Sequence, residues 1–119
     1  MISVLSVFVG GGIGASLRYL ICSVVKSHWA VFGINVAGAL FIGIAAGYFS
    51  AKAGWRPEIR NFIITGILGG FTTFSTYMLD FGTLLTNQKV IEGLAYMFGS
   101  LAVGTACLFL GLRFARFYL

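Results

Sequence analysis

Apolar residues run along the chain in four long blocks, covering about residues 2–25, 29–49, 62–85 and 90–112. Each block matches the roughly 20 apolar residues an α-helix needs to cross the hydrocarbon core of a bilayer. The polar interruptions are short: Lys26–His28, Ser50–Arg60 and Thr86–Lys89. They leave no space for a soluble domain or a long linker. The pattern predicts an all-α membrane protein, residues 1–119 forming one domain of four transmembrane helices. The single proline, Pro57, lies in the middle interruption, where its fixed φ suits the start of the third helix. The first block lacks the basic leader of a signal peptide, and cleavage would remove one of only four spans.

The third block breaks its own pattern. "GGFTTFSTYMLD", Gly69 to Asp80, opens with two glycines and then sets four hydroxyls (Thr72, Thr73, Ser75, Thr76) within five residues. Glycine disfavours helix by about 1 kcal/mol. Backbone groups freed in lipid must find partners, and non-helical backbone at that depth survives only when buried in protein or lining a cavity. Unwound carbonyls are also able to hold a cation. The stretch therefore predicts a third helix broken near mid-membrane. Phe74 and Tyr77, three apart, share a face and offer ring edges of positive potential. Asn35 interrupts the second block as a polar group that would bond across helices. Tyr96 and Ser100, four apart, share a face of the fourth helix. Arg18 sits deep in the first helix, either snorkelling or keeping a water-filled vestibule positive.

Composition agrees with lipid as the solvent. The chain is 59% hydrophobic and 9% charged, against about 25% charged in soluble domains. Net charge is +5, with the basic residues mostly at helix ends, as in positive-inside anchoring. Lys52, Arg56, Arg60, Arg113 and Arg116 share a side with both termini, while Lys26 and Lys89 lie opposite. The imbalance favours cytoplasmic termini. No basic run interleaves with aromatics, so no nucleic acid is expected as a partner. Cys22 and Cys107 lie apart in apolar blocks and make no metal motif. The acids are Glu58, Asp80 and Glu92. None lies mid-membrane in the first, second or fourth helix, where proton-coupled transport would want one. His28 reads as an exposed loop residue. No nucleophile–base pair appears, and enzyme chemistry is not expected. "GGGIGA" at Gly10–Ala15 lacks the strand and the later acid of a dinucleotide site. Glycines four apart (Gly10 and Gly14, Gly43 and Gly47, Gly66 and Gly70) let helices approach closely, within one subunit or between two. Donors, ring edges, Asn35 and the lack of a central acid point to a pathway for a small anion. One thin bundle has little room to enclose it, so a second copy is expected.

These residues resemble those of the CrcB/Fluc fluoride channels. "GGGIGASLRY" (Gly10–Tyr19) is similar to that family's first helix, "NVAGALFIG" (Asn35–Gly43) to its second, "GGFTTFSTY" (Gly69–Tyr77) to its third-helix break, and "YMFGS" (Tyr96–Ser100) to its fourth-helix polar pair. The resemblance implies an antiparallel dimer with two narrow pores in the cell membrane, exporting fluoride passively. It implies that Asn35 lies on the ion path, Phe74 and Tyr77 form an aromatic box, and Tyr96 and Ser100 form a polar track. Ser75 and Thr76 would lie beside the path. The backbone carbonyls of Gly69 and Thr72 would hold a structural sodium ion at the dimer centre. Three positions depart from the family's pattern: Ala30-Val31 for a frequent Gly-Thr, Ala39 for a common Ser, and Tyr77 for Phe. They raise the option of a paralogue as partner in a heterodimer. Two other readings are weaker. A small four-helix drug or cation exporter relies on a carboxylate in the middle of the first helix, absent here. A non-transporting structural subunit leaves the TTFST stretch unexplained.

Overall fold

The structure is a computed structural model describing residues 1–119. Five helical pieces make four spans. Helix α1 is Ile2–Val24 and α2 is His28–Ala51. The third span divides in two: α3, residues 57–71, and α4, Ser75–Thr86. Helix α5 is Val90–Tyr118. All four spans have the length and apolar character to cross a membrane. Most large apolar side chains on α1, such as Phe8, Val9 and Leu20, face outward, as they should where the solvent is lipid.

Two helix bounds extend past the apolar blocks. The third span begins at Pro57 rather than near residue 62, because Pro57 occupies the first helical turn and Glu58 follows it there. A proline costs nothing at that position, and a carboxylate suits the helix N-terminus. Helix α5 runs to Tyr118, beyond residue 112. There Arg113 lies over the Phe117 ring (5.5 Å) and Phe114 stacks near Tyr118 (5.1 Å). Helical pairing of these side chains carries the helix into the interfacial zone.

The helices pack in two pairs, α1 along α3 and α2 along α5, with α4 resting on α5 and α2. The spaced glycines make both seams within one subunit. A Cβ at Gly10 would meet the Phe62 carbonyl at 2.5 Å and one at Gly70 the Gly11 carbonyl at 2.6 Å. Gly14 abuts the Ile67 carbonyl, and across the other seam Gly43 abuts the Leu108 carbonyl and Gly111 the Leu40 carbonyl. Within α3, residues Asn61–Leu68 wind in wide, π-type turns, and this segment carries the face that meets α1.

A small apolar core of Val31, Tyr77, Leu84 and Tyr96 joins α2, α4 and α5. Cys22, Phe32, Met78, Phe81 and Met97 pack around it. The core sits directly beside the gap between α3 and α4, so it positions the start of α4.

Close approach at these seams is testable. Gly14→Ala should lower stability by about 1–3 kcal/mol through overpacking against backbone that cannot yield. Gly12→Ala, whose Cβ would meet nothing within 4 Å, should be near neutral. Thermal unfolding of the two variants in detergent would separate them; equal midpoints would dismiss the seam.

Candidate ion pathway

The helix ends at Thr72, whose side chain bonds back onto the last turn. Thr72 N–H and Oγ1–H both donate to the Leu68 carbonyl, at 3.1 and 3.0 Å. Its backbone then turns extended, with φ −84° and ψ 158°. Gly38 on α2 leaves the space that the Thr72 methyl fills. Helix α4 restarts at Ser75, and Thr73 Oγ1 accepts from the Thr76 N–H (3.3 Å). That bond satisfies one of the orphan donors of a helix N-terminus.

Thr73, stranded between the helices, is held by Asn35. Asn35 Nδ2 donates to the Thr73 carbonyl (3.0 Å), and Asn35 Oδ1 accepts from the Thr73 N–H (2.9 Å). The amide side chain thus replaces both bonds that a continuous helix would have given Thr73. One N–H of Nδ2 remains. Arg18 Nε donates to the Gly70 carbonyl (3.3 Å) from the α1 side. The Gly69 and Thr72 carbonyls receive no hydrogen bond from the chain, and the Phe74 N–H donates none.

Beside the break lies an open groove of ≈ 340 Å³. Asn35, Phe74, Tyr77 and Ser100 line it, with Thr72 and Thr73 at its polar edge. Gly38, Ala39, Ile42 and Leu101 complete the wall. No carboxylate lines it. The Phe74 and Tyr77 rings stand 6.2 Å apart at 61°. Phe74 is 71% exposed and Tyr77 only 4%, so one ring projects from the subunit while the other is built into it.

Other residues singled out from the sequence lie elsewhere. Tyr96 is fully buried behind Tyr77, their rings 5.3 Å apart, and does not reach the groove wall. Ser75 and Thr76 are on the first turn of α4, beside the groove rather than in its lining. Arg18 reaches the break from α1, away from the groove.

The hydroxyl protons divide into two groups. Tyr77 donates to the Met97 carbonyl (2.5 Å), Ser100 to the Tyr96 carbonyl (2.5 Å) and Tyr96 to Asp80 Oδ2 (2.9 Å). Each acceptor is a carbonyl or a carboxylate, so the direction is forced. The Tyr77 hydroxyl therefore bonds α5 and not Thr73, the neighbour one turn before it. Thr73, Ser75 and Thr76 donate to nothing in the chain. The unspent donors are thus those of the break itself. Sequence reasoning missed Thr73 as the anchor point and Asp80 as the partner of Tyr96. The one available sign was that Asp80 is the only carboxylate within the apolar part of the third block.

A profile described as CrcB-like protein, Camphor Resistance (CrcB), matches residues 5–112. Among similar proteins is one of Rhodopseudomonas palustris, 42% identical over 118 residues, covering 94% of this chain and 95% of its own length. A protein of Aquifex aeolicus is 39% identical over 114 residues, covering 91% and 92%. One of Rhizobium meliloti is 38% identical over 119 residues, covering 95% of each. All three carry the name fluoride-specific ion channel FluC.

The Asn35–Thr73 clamp predicts a stability loss. Asn35→Asp sets an acceptor against the Thr73 carbonyl, and Asn35→Ala leaves both Thr73 groups unpaired. Each should cost about 1–3 kcal/mol, with Asn35→Asp the worse. Thermal unfolding in detergent measures it; wild-type stability in both variants would mean that the clamp carries no load.

Proposed function

The chain belongs to the CrcB-like family, and from that premise we propose that it is a fluoride channel of the cell membrane. It releases cytoplasmic fluoride passively and so relieves fluoride toxicity. Hydrogen fluoride crosses a bilayer as the neutral acid and dissociates in neutral cytoplasm, trapping the anion. A selective leak is sufficient to lower the internal level, and no catalytic or proton-relay group is required.

The observation that carries this reading is the groove at the helix break: unspent donors, two aromatic rings and no carboxylate. Fluoride is small and holds its water tightly, so a pathway must replace those hydrogen bonds. The remaining Asn35 N–H, the Phe74 N–H and the Thr73 hydroxyl supply donors in the groove, and the hydroxyls of Ser75 and Thr76 stand beside it. Helix α4 adds the partial positive charge of its N-terminus. The edges of Phe74 and Tyr77 complete the wall without offering an acceptor. Ser100 adds a polar oxygen to the α5 side of the groove, with Tyr96 buried behind Tyr77. Only Arg18 is charged within the span of α1, so the mid-helix carboxylate of a drug exporter is missing.

The groove is open on one side, and Phe74 projects from it. A second subunit in antiparallel orientation closes it and yields two equivalent paths. The structural cation fits the backbone. The Gly69 and Thr72 carbonyls lack donors, and such carbonyls suit a hard ion like sodium. When bound, the ion would supply a fixed positive charge near the break and tie the subunits together. Asn35 and Arg18 hold the neighbouring backbone at Thr73 and Gly70, which keeps the carbonyl geometry set.

Fluoride efflux from liposomes holding only this protein tests the function, and its absence would overturn it. Phe74→Ile should lose most of the flux because the ring edge is gone. Tyr77→Phe should conduct at a similar rate, since its hydroxyl is spent on Met97, while losing about 1 kcal/mol of stability. Full activity in both Phe74→Ile and Tyr77→Ile would reduce the aromatic pair to packing.

Sodium makes a separate prediction. Prolonged exchange into a non-binding organic cation should reduce transport, whereas Thr72→Ala should not remove the ion, because backbone holds it. Unchanged flux after verified sodium removal would exclude the site.

A further inference from the structure

A second polar cavity, separate from the groove at the break, lies at the end of the bundle where α2 finishes and α3 begins. Its volume is ≈ 260 Å³. Ser50, in the last turn of α2, and Arg60, Asn61 and Thr65 on α3 form its polar wall, with Ala46 and Phe49 beside them. None of the four polar side chains is hydrogen-bonded within the chain. They offer a planar guanidinium fork, an amide N–H pair and two hydroxyls. That donor set matches the oxygens of a phosphate group, which arginine grips with two parallel hydrogen bonds.

The local charge favours an anion. Glu58, the only acid at this end, lies 3.4 Å from Arg56 and leaves Arg60 without a carboxylate partner. Asp80 is engaged by Tyr96, and Glu92 starts α5 at the opposite end. Lys52 and Arg56 are exposed in the adjoining loop. The C-terminus of α2 brings partial negative charge to the rim, which Arg60 and the N-terminus of α3 offset.

Depth selects the source of the phosphate. Ser50 and Arg60 stand at helix ends, the level of the headgroups in a spanned bilayer. The Trp55 ring lies there too, 5.6 Å from Phe49 and 5.9 Å from Tyr48, a grouping typical of membrane interfaces. Phe49 also belongs to the wall of an apolar groove of ≈ 490 Å³, which Phe41, Ile63 and Ile67 line deeper in the span. A seat for a headgroup and a groove for an acyl chain therefore share one side chain.

We propose that Ser50, Arg60, Asn61 and Thr65 bind the phosphate of an acidic phospholipid, whose acyl chain lies in the apolar groove between α2 and α3. The site stands apart from the anion pathway and does not depend on the channel reading.

Native mass spectrometry of the detergent-solubilised protein tests it, by titration with phosphatidylglycerol, phosphatidylcholine or inorganic phosphate. Phosphatidylglycerol should bind the wild type more tightly than phosphatidylcholine. Arg60→Gln should weaken it by about tenfold or more, the effect of losing a hydrogen bond between charged groups. Arg60→Lys, which keeps the charge and loses the fork, should fall between. Arg56→Gln, outside the cavity, should leave binding unchanged. Equal wild-type affinity for the two lipids would overturn the proposal without recourse to any variant. Equal losses in Arg56→Gln and Arg60→Gln would overturn it by showing diffuse attraction to a basic end. Inorganic phosphate binding as tightly as phosphatidylglycerol would overturn the assignment to lipid.

Discussion

Backbone amides in hydrocarbon cannot be left unpaired, and the break between α3 and α4 is organised by that constraint. Three residues, Thr72 to Phe74, leave the helix. The Thr72 hydroxyl bonds back to the Leu68 carbonyl, Thr73 opens α4 with its own hydroxyl oxygen, and Asn35 pairs with both backbone groups of Thr73. Arg18 takes the Gly70 carbonyl. The glycines serve the same end. Gly38 admits the Thr72 methyl, while Gly10, Gly14 and Gly70 bring α1 and α3 to backbone contact. Without that proximity Arg18 would not reach the break. A few polar side chains and a few missing ones thus make an interruption tolerable in a chain that is otherwise apolar.

The spans and the break were legible because they are local. Block length sets the number of helices, and two glycines followed by four hydroxyls announce backbone that must be satisfied elsewhere. Glycine spacing was legible as close packing but not as to its partner; geometry assigns Gly43 and Gly111 to the α2–α5 seam and Gly10, Gly14 and Gly66 to the α1–α3 seam. What stayed hidden depends on pairing at a distance. Asn35 and Thr73 are 38 positions apart, and nothing in either neighbourhood names the other. The Tyr77 hydroxyl could have turned to Thr73 one turn before it, yet α5 offers the Met97 carbonyl. His28 looked like a loop residue until α5 set Glu92 beside it. The wide turns of Asn61–Leu68 have no residue signature, since they answer to the helix they pack against.

The division of hydroxyl protons bears on how an anion could be received. The hydroxyls of Tyr96 and Ser100 on α5, and of Tyr77 facing them from α4, are already committed, to Asp80 and to backbone carbonyls. An ion there would compete with strong internal acceptors, and a hydrogen bond to a carboxylate is among the harder ones to displace. At the break the donors are uncommitted, and Asp80 lies behind Tyr96 rather than in the groove wall. The donors left uncommitted therefore lie at the break, not along the tyrosine and serine that share a face of α5.

The break also separates polarity by its direction. Helix α3 ends there and presents carbonyls; α4 begins there and presents N–H groups. The first end is partially negative and the second partially positive. Gly69 and Thr72 belong to the carbonyl end, Phe74 and the hydroxyls of Ser75 and Thr76 to the donor end, within eight residues of sequence. Free carbonyls and free N–H groups thus arise side by side from one interruption of one helix. Asn35 stands between them, fixing Thr73, the residue at which the polarity reverses. That placement explains why a single neutral amide stands within the apolar run of α2. A carboxylate could accept from the Thr73 N–H but not donate to its carbonyl, and an apolar side chain could do neither.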